Sequence, residues 1–255
     1  MNKTNIEWCD MTWNPVTGCY HGCEYCYARR IAHRFTKEED YRFFKSEFRD
    51  GPTKVHEIVW PAERNKRKIP YPFEFEPTLH RCRLYEPIQR KKPAKIFVSS
   101  MGDLFGDWVP DEWIEEVLKA CRKAPQHTYM FLTKNPWGYH RLQTLYSPND
   151  WLGVTIDGTG TGNSFRDYKS KRKAMDYVAP VVNRFISIEP LIKPIDPEII
   201  EGMDWVIVGA QTGPGAVAPK REWVQKIIDQ CRTAGVPIFL KSNLNWPEKI
   251  QEWPG

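Results

Sequence analysis

The stretch KIFVSSMGDLFGDWVPDEWIEEVLKACRKA, residues 95–124, changes its hydrophobic period halfway along. Residues 95–100 are nearly all apolar up to a pair of serines, as a strand buried on both faces should be. From residue 111 the period is helical. Ile114, Val117, Leu118 and Cys121 share one face, and Pro110 stands just before the start. Further apolar runs lie at 128–133 (TYMFLT), 151–156 (WLGVTI), 184–188 (RFISI), 204–208 (DWVIV) and 236–240 (VPIFL). A second amphipathic segment, 222–234, carries Val224, Ile227, Ile228 and Cys231 on one face and ends at Gly235. Strands alternating with helices predict an α/β fold with a parallel sheet, a partial or irregular (β/α) barrel of the TIM-barrel type. An internal echo supports repeated units. At an offset of 110, IFVSSMG (96–102) lies over VIVGAQT (206–212), and DEWIEEVLKACRKA lies over REWVQKIIDQCRTA (221–234).

With 255 residues, 41% of them hydrophobic, the chain can bury a sizeable core. We expect a single domain over 1–255. A charged fraction of 27% excludes a disordered composition, and a net charge of +5 is compatible with a polyanionic partner. The N-terminus MNKTNIEWCD is polar and acidic, unlike a secretory signal, and no run has the length of a membrane span. The expected compartment is the cytoplasm, where seven cysteines imply metal, catalysis or burial rather than disulfides. Residues 36–94 break the alternation with clustered charge, aromatics and prolines. They are expected to form a partly helical insertion after the first helix, acting as a lid or partner surface.

The first part of the chain carries GCYHGCEYCYAR, residues 18–29, with Cys19, Cys23 and Cys26 spaced four and three apart. Three thiolates and one open position fit an iron–sulfur cluster with one iron left for a non-protein ligand. Structural zinc would need a fourth ligand, His21 or Cys9. That alternative describes a zinc-stabilised nucleic-acid-binding module without catalysis. A redox or electron-transfer iron–sulfur protein is another. Gly18 and Gly22 allow the backbone to wrap tightly, and backbone N–H groups can bond to sulfur.

The C-x3-C-x2-C arrangement, with Tyr25 before the third cysteine, resembles the signature of the radical S-adenosylmethionine (SAM) superfamily. The resemblance implies a 4Fe–4S cluster on Cys19, Cys23 and Cys26, with SAM on the fourth iron and cleaved to a 5′-deoxyadenosyl radical. It also implies a reductant such as flavodoxin or ferredoxin. The blocks IEWCDMTWNPVTGC, FEPTLHRCRL, IFVSSMGDLFGDWVPDEW, FISIEPL and DWVIVGAQTGPGA are similar to a phage-associated radical-SAM-like family of unknown function. That resemblance implies fold and cofactor but names no substrate. Ser99, Ser100, Met101, Gly102 and Asp103 resemble the superfamily's motif that meets the SAM amino group, with Asp103 as the carboxylate for the ammonium.

A parallel barrel puts its site where strands end. Thr155 and Glu189 are therefore further candidates for SAM contact, with Gln211 in the following QTGPG loop. Glu189, Lys134 and Lys241 are catalytic candidates, and so is the thiol of Cys9. Trp13 and Asn14 are expected to shape the cysteine loop, and Cys121 and Cys231 to be core. Basic clusters at 64–68, 90–92 and 169–173 admit a nucleic-acid substrate.

Overall fold

The computed structural model describes residues 1–36, 54–60, 63–64, 67–157 and 168–254. The chain divides into two units, Met1–Phe131 and Leu132–Gly255. In the first unit the elements are β1 (Asn2–Lys3), β2 (Met11–Trp13), β3 (Val16–Thr17), α1 (Tyr27–Phe35), β4 (His56–Ile58), β5 (Glu63–Arg64), β6 (Arg67–Lys68), β7 (Thr78–His80), α2 (Glu86–Gln89), β8 (Lys95–Val98) and α3 (Asp111–Arg122). Strand β9 (Thr128–Thr133) carries the chain across the division. Strands β2, β8 and β9 are parallel, with Met11 opposite Ile96 and Ile96 opposite Tyr129, and β1 lies antiparallel on β2.

Apolar character explains these elements. Ile96, Phe97 and Val98 are buried, as their uninterrupted apolar run requires. Helix α3 buries Ile114, Val117, Leu118 and Cys121, the predicted stripe, and its first turn carries Asp111 and Glu112 against the helix dipole. β2 and β3 are separate strands although only two residues divide them. Pro15 has no N–H for a ladder, and its carbonyl accepts from the His80 N–H at 2.7 Å. β3 thus leaves the parallel sheet and pairs antiparallel with β7, which also pairs with β4.

The described part of 36–94 is partly helical, through Arg81–Tyr85 and α2, and it also builds this small sheet. Phe75 packs in one cluster with Ala28, Ala32 and Met101, against which Cys19 and Cys26 rest. The expected lid falls in part on residues 37–53, 61–62 and 65–66, outside the described residues.

In the second unit β10 (Asp150–Thr155), α4 (Tyr168–Asp176), β11 (Asn183–Ile188), β12 (Trp205–Val208), α5 (Arg221–Ala234) and β13 (Ile238–Leu240) follow in order. β10, β11, β12 and β13 are neighbours, all parallel. Trp205 is fully buried between Phe185 and Phe239 and makes the centre of this core. Gly235 caps α5 in the left-handed conformation, φ 66°. The echo extends to the elements, as β8 and α3 begin 110 residues before β12 and α5. Helix α4 was not foreseen. Among the described residues no helix is long and apolar enough to cross a membrane.

Candidate active site

Two groups of polar residues gather at the C-terminal ends of the parallel strands, one in each unit. The first is the cysteine loop. Its entry is fixed where Gly18 and Gly102 pair backbone to backbone. The Gly18 N–H donates to the Met101 carbonyl (2.9 Å) and the Cys19 N–H to the Phe75 carbonyl (3.0 Å). A Cβ on Gly18, at φ +85°, would lie 2.2 Å from the Glu76 carbonyl oxygen, so only glycine fits. Among the described residues Gly22, at φ +73°, has no atom within 4 Å of the same test position, which leaves open space beside the middle of the loop.

The thiols already receive backbone donors. The His21 N–H points to Cys19 Sγ and the Arg29 N–H to Cys26 Sγ, each at 3.4 Å. Cys26 is the N-cap of α1. Burial pushes the Cys19 thiol well above its ordinary value, and the charge of Asp103 adds to the effect. A thiolate there needs a cation, which a metal ligated by the loop would provide. Among the described residues no three His, Cys, Asp or Glu side chains converge as a ready set of metal ligands. Three half-buried thiols on one loop, N–H groups on two of the sulfurs and open space at Gly22 nevertheless suit a cluster-binding loop.

Asn14 ties the SSMGD turn to the end of β2, as its Oδ1 accepts from the Ser100 hydroxyl (3.2 Å) and the Met101 N–H (2.9 Å). Ser99 holds φ +56°, and its buried hydroxyl makes no hydrogen bond among the described residues. Tyr27 donates to the Ser100 carbonyl at 2.9 Å. Tyr25 is half-buried in the turn before α1. Cys9 lies elsewhere, before β2 and thus at the opposite end of that strand from the cysteine loop, with its thiol directed to the Ile6 carbonyl. His21 is also committed, its Nε2 lying 2.7 Å from Asp103 Oδ2. Of the two proposed fourth zinc ligands, Cys9 thus lies away from the loop, and His21 has its Nε2 already against a carboxylate.

The second group is a row across β10–β13. Thr155 is in register with Ser187, Ser187 with Ile207, and Ile207 with Phe239. Two residues further on, the same row reads Asp157, Glu189, Gly209, Lys241. Lys134 donates to Asp157 at 2.5 Å, and Lys241 forms an ion pair with Glu189. Gly209 leaves the room, since a Cβ there would stand 3.0 Å from Cδ of both Glu189 and Lys241. The Ser187 hydroxyl is buried without a hydrogen bond among the described residues. Asn243 clasps Ala210 through both its N–H and its carbonyl. Gln211 accepts a long bond from the Val217 N–H within its own exposed loop. Thr155 is buried, and its carbonyl accepts from Lys171.

That last contact takes Lys171 out of the basic cluster at 169–173, while Lys169 and Lys173 stay exposed. Lys171 is buried, Lys169 pairs with Asp196, and Arg172 pairs with Asp176. Sequence reasoning missed the His21–Asp103 pair and the Asn14 clasp. A histidine placed inside a cysteine loop was the available sign of the first.

The family of proteins of unknown function called DUF5131 matches residues 3–252, and the chain belongs to it. No curated protein matches the chain. Among solved structures, a cysteine-to-serine mutant of spore photoproduct lyase aligns with TM-score 0.54 at 10% identity over 94% of this chain and 78% of that one. A spore photoproduct lyase complexed with dinucleoside spore photoproduct aligns with TM-score 0.53 at 11% identity over 88% and 74%. A double mutant of the lyase with bound AdoMet and the same dinucleoside aligns with TM-score 0.49 at 12% identity over 88% of this chain, which spans 61% of that lyase's length. The first two likenesses describe the fold.

Proposed function

We propose that this protein is a radical SAM enzyme on a partial (β/α) barrel extending over the chain, with a 4Fe–4S cluster held by Cys19, Cys23 and Cys26. The carrying observation is the docking of the cysteine loop, through Gly18 and Gly102, onto the turn that follows a parallel strand. Bound there, the cluster would supply an electron for reductive cleavage of SAM. The protein's own residues do the rest. The three thiolates hold iron, and the His21 and Arg29 amides orient two of the sulfurs. Ser99, Ser100, Met101, Gly102, Thr155, Gln211 and Tyr25 are the proposed SAM contacts. The pairs Lys134–Asp157 and Lys241–Glu189 can exchange partners with charged groups of SAM or substrate, so Glu189, Lys134 and Lys241 stay as catalytic candidates. Flavodoxin or ferredoxin is the proposed electron donor. The fold shared with a lyase solved with a dinucleoside lesion directs the substrate search to nucleic acid first. The phage-associated resemblance belongs to the same reading.

The test is anaerobic reconstitution, iron and sulfide counting, EPR of the reduced protein with and without SAM, and an assay for 5′-deoxyadenosine. About four irons per chain are expected for one such cluster, with a signal altered by SAM and slow 5′-deoxyadenosine release, all lost in Cys23→Ala. Bound zinc, or a cluster indifferent to SAM, would overturn the proposal.

A further inference from the structure

Residues 102–108 close on the cysteine loop from one side. Asp103 is only 4% exposed, and both of its carboxylate oxygens are engaged. Oδ1 accepts from the Phe105 N–H at 3.0 Å, and Oδ2 lies 2.7 Å from His21 Nε2. Trp108 meets the His21 ring edge-on at 4.8 Å and the Tyr20 ring at 5.5 Å. The turn is shaped for this contact, because a Cβ on Gly106 would fall 2.3 Å from the Trp108 ring. Tyr20 is held again from another side, its hydroxyl donating to the Lys54 carbonyl at 2.7 Å. Three contacts thus converge on the span Cys19–Cys23: the Gly18–Gly102 pairing before it, and the Asp103 and Trp108 contacts on its middle.

We infer that Asp103 is a positioning residue, which acts through His21 and with Trp108 to hold the Cys19–Cys23 loop in shape before any metal arrives, and that it is not the carboxylate that receives the SAM ammonium. Each carboxylate oxygen of Asp103 could accept one more bond, but the side chain is closed off and both oxygens are turned to its own loop and to His21, so an ammonium could reach it only by displacing the residues that cover it. Those residues are the ones that hold the cysteine loop. The inference rests on the proposed function for what the loop holds. The clamp itself is a property of the metal-free chain.

That separation sets the experiment. Metal-free protein is labelled with iodoacetamide, and the rate at each cysteine is read by mass spectrometry. His21→Ala is expected to speed labelling of Cys19 and Cys23 about fivefold, the scale of one lost hydrogen bond, with Cys9 and Cys82 unchanged. His21→Gln, whose amide can still donate to Asp103, should bring the rates back to the parent's. Reconstituted Asp103→Asn keeps an acceptor for Phe105 and a partner for His21. It should bind SAM with affinity within about twofold of the parent, by titration of the EPR change, since no charged hydrogen bond to SAM is lost. Unchanged labelling in His21→Ala, or no rescue by His21→Gln, overturns the clamp. A loss of SAM affinity of about tenfold or more in Asp103→Asn, the scale of one lost charge-assisted hydrogen bond, at parental labelling rates, gives Asp103 to SAM and overturns the positioning role. If the parent takes up no cluster, the proposed function falls, and the labelling rates still decide the clamp.

Discussion

At residue scale the two glycines of the cysteine loop separate conformation from space. Both have positive φ, but among the described residues only Gly18 is enclosed. Alanine in the left-handed region costs about 1–2 kcal/mol. Gly22→Ala should therefore lose that much stability and no more. Gly18→Ala adds a Cβ 2.2 Å from a backbone oxygen that cannot swing aside. We expect it to lose about 3 kcal/mol or more, measured as the difference in urea midpoints of the metal-free proteins. Equal losses would mean that the Gly18–Glu76 approach relaxes at little cost. The sequence announced both glycines through their place among the cysteines. It could not rank them, because the crowding atom belongs to Glu76, 58 positions further along, beside a strand pairing that no local pattern reveals. The pairing of His21 with Asp103 was hidden for the same reason. Each stood out on its own, His21 as a possible metal ligand and Asp103 as a possible partner of SAM, but only the fold brings together positions 82 apart.

At the scale of elements, the row Asp157, Glu189, Gly209, Lys241 follows from parallel register alone. Parallel strands repeat their side-chain rows, so polar residues two past each buried row all emerge at one end. The strand ends were legible because the apolar runs stop abruptly at them, but which lysine meets which carboxylate was not. Helix α4 was illegible for a different reason. Its buried side is only Lys171, Ala174 and Met175, and a buried lysine reads as surface in any hydrophobicity pattern. Both ion pairs in the row are sheltered, Lys134–Asp157 more than Lys241–Glu189, with side-chain exposures of 17% and 8% against 17% and 26%. Double-mutant cycles, with each lysine changed to methionine and each carboxylate to its amide, should give coupling energies of about 1–3 kcal/mol. The larger should belong to Lys134–Asp157. Coupling near zero in both would mark the pairs as loosely held.

For the whole molecule, two buried or bonded groups make stability depend on acid in two separate windows, one in each unit. His80 is buried, bonded at 2.9 Å to the Thr17 hydroxyl, and faces the positive charge of Arg83. Burial first, and Arg83 second, hold its imidazole well below the ordinary 6.5. Below pH 6.5 the unfolded chain takes up a proton that the folded chain refuses, so stability falls as the pH drops from there. Glu252 works lower. The Arg232 guanidinium at 2.6 Å and the Ile238 N–H at 3.1 Å hold its carboxyl below its ordinary 4.5. Its contribution is complete above pH 4.5 and fades as the pH falls through the lowered value. Hydrogen exchange of the metal-free protein across about pH 7 to 3 should show the first loss of protection in peptides covering 16–17 and 78–80, and the second in those covering 238–252. His80→Gln, which keeps a partner for Thr17, should erase the first loss and spare the second, and Glu252→Gln the reverse. If His80→Gln left the first window intact, another group would have to carry that proton. If either variant moved both windows, the two units would be responding to acid as one.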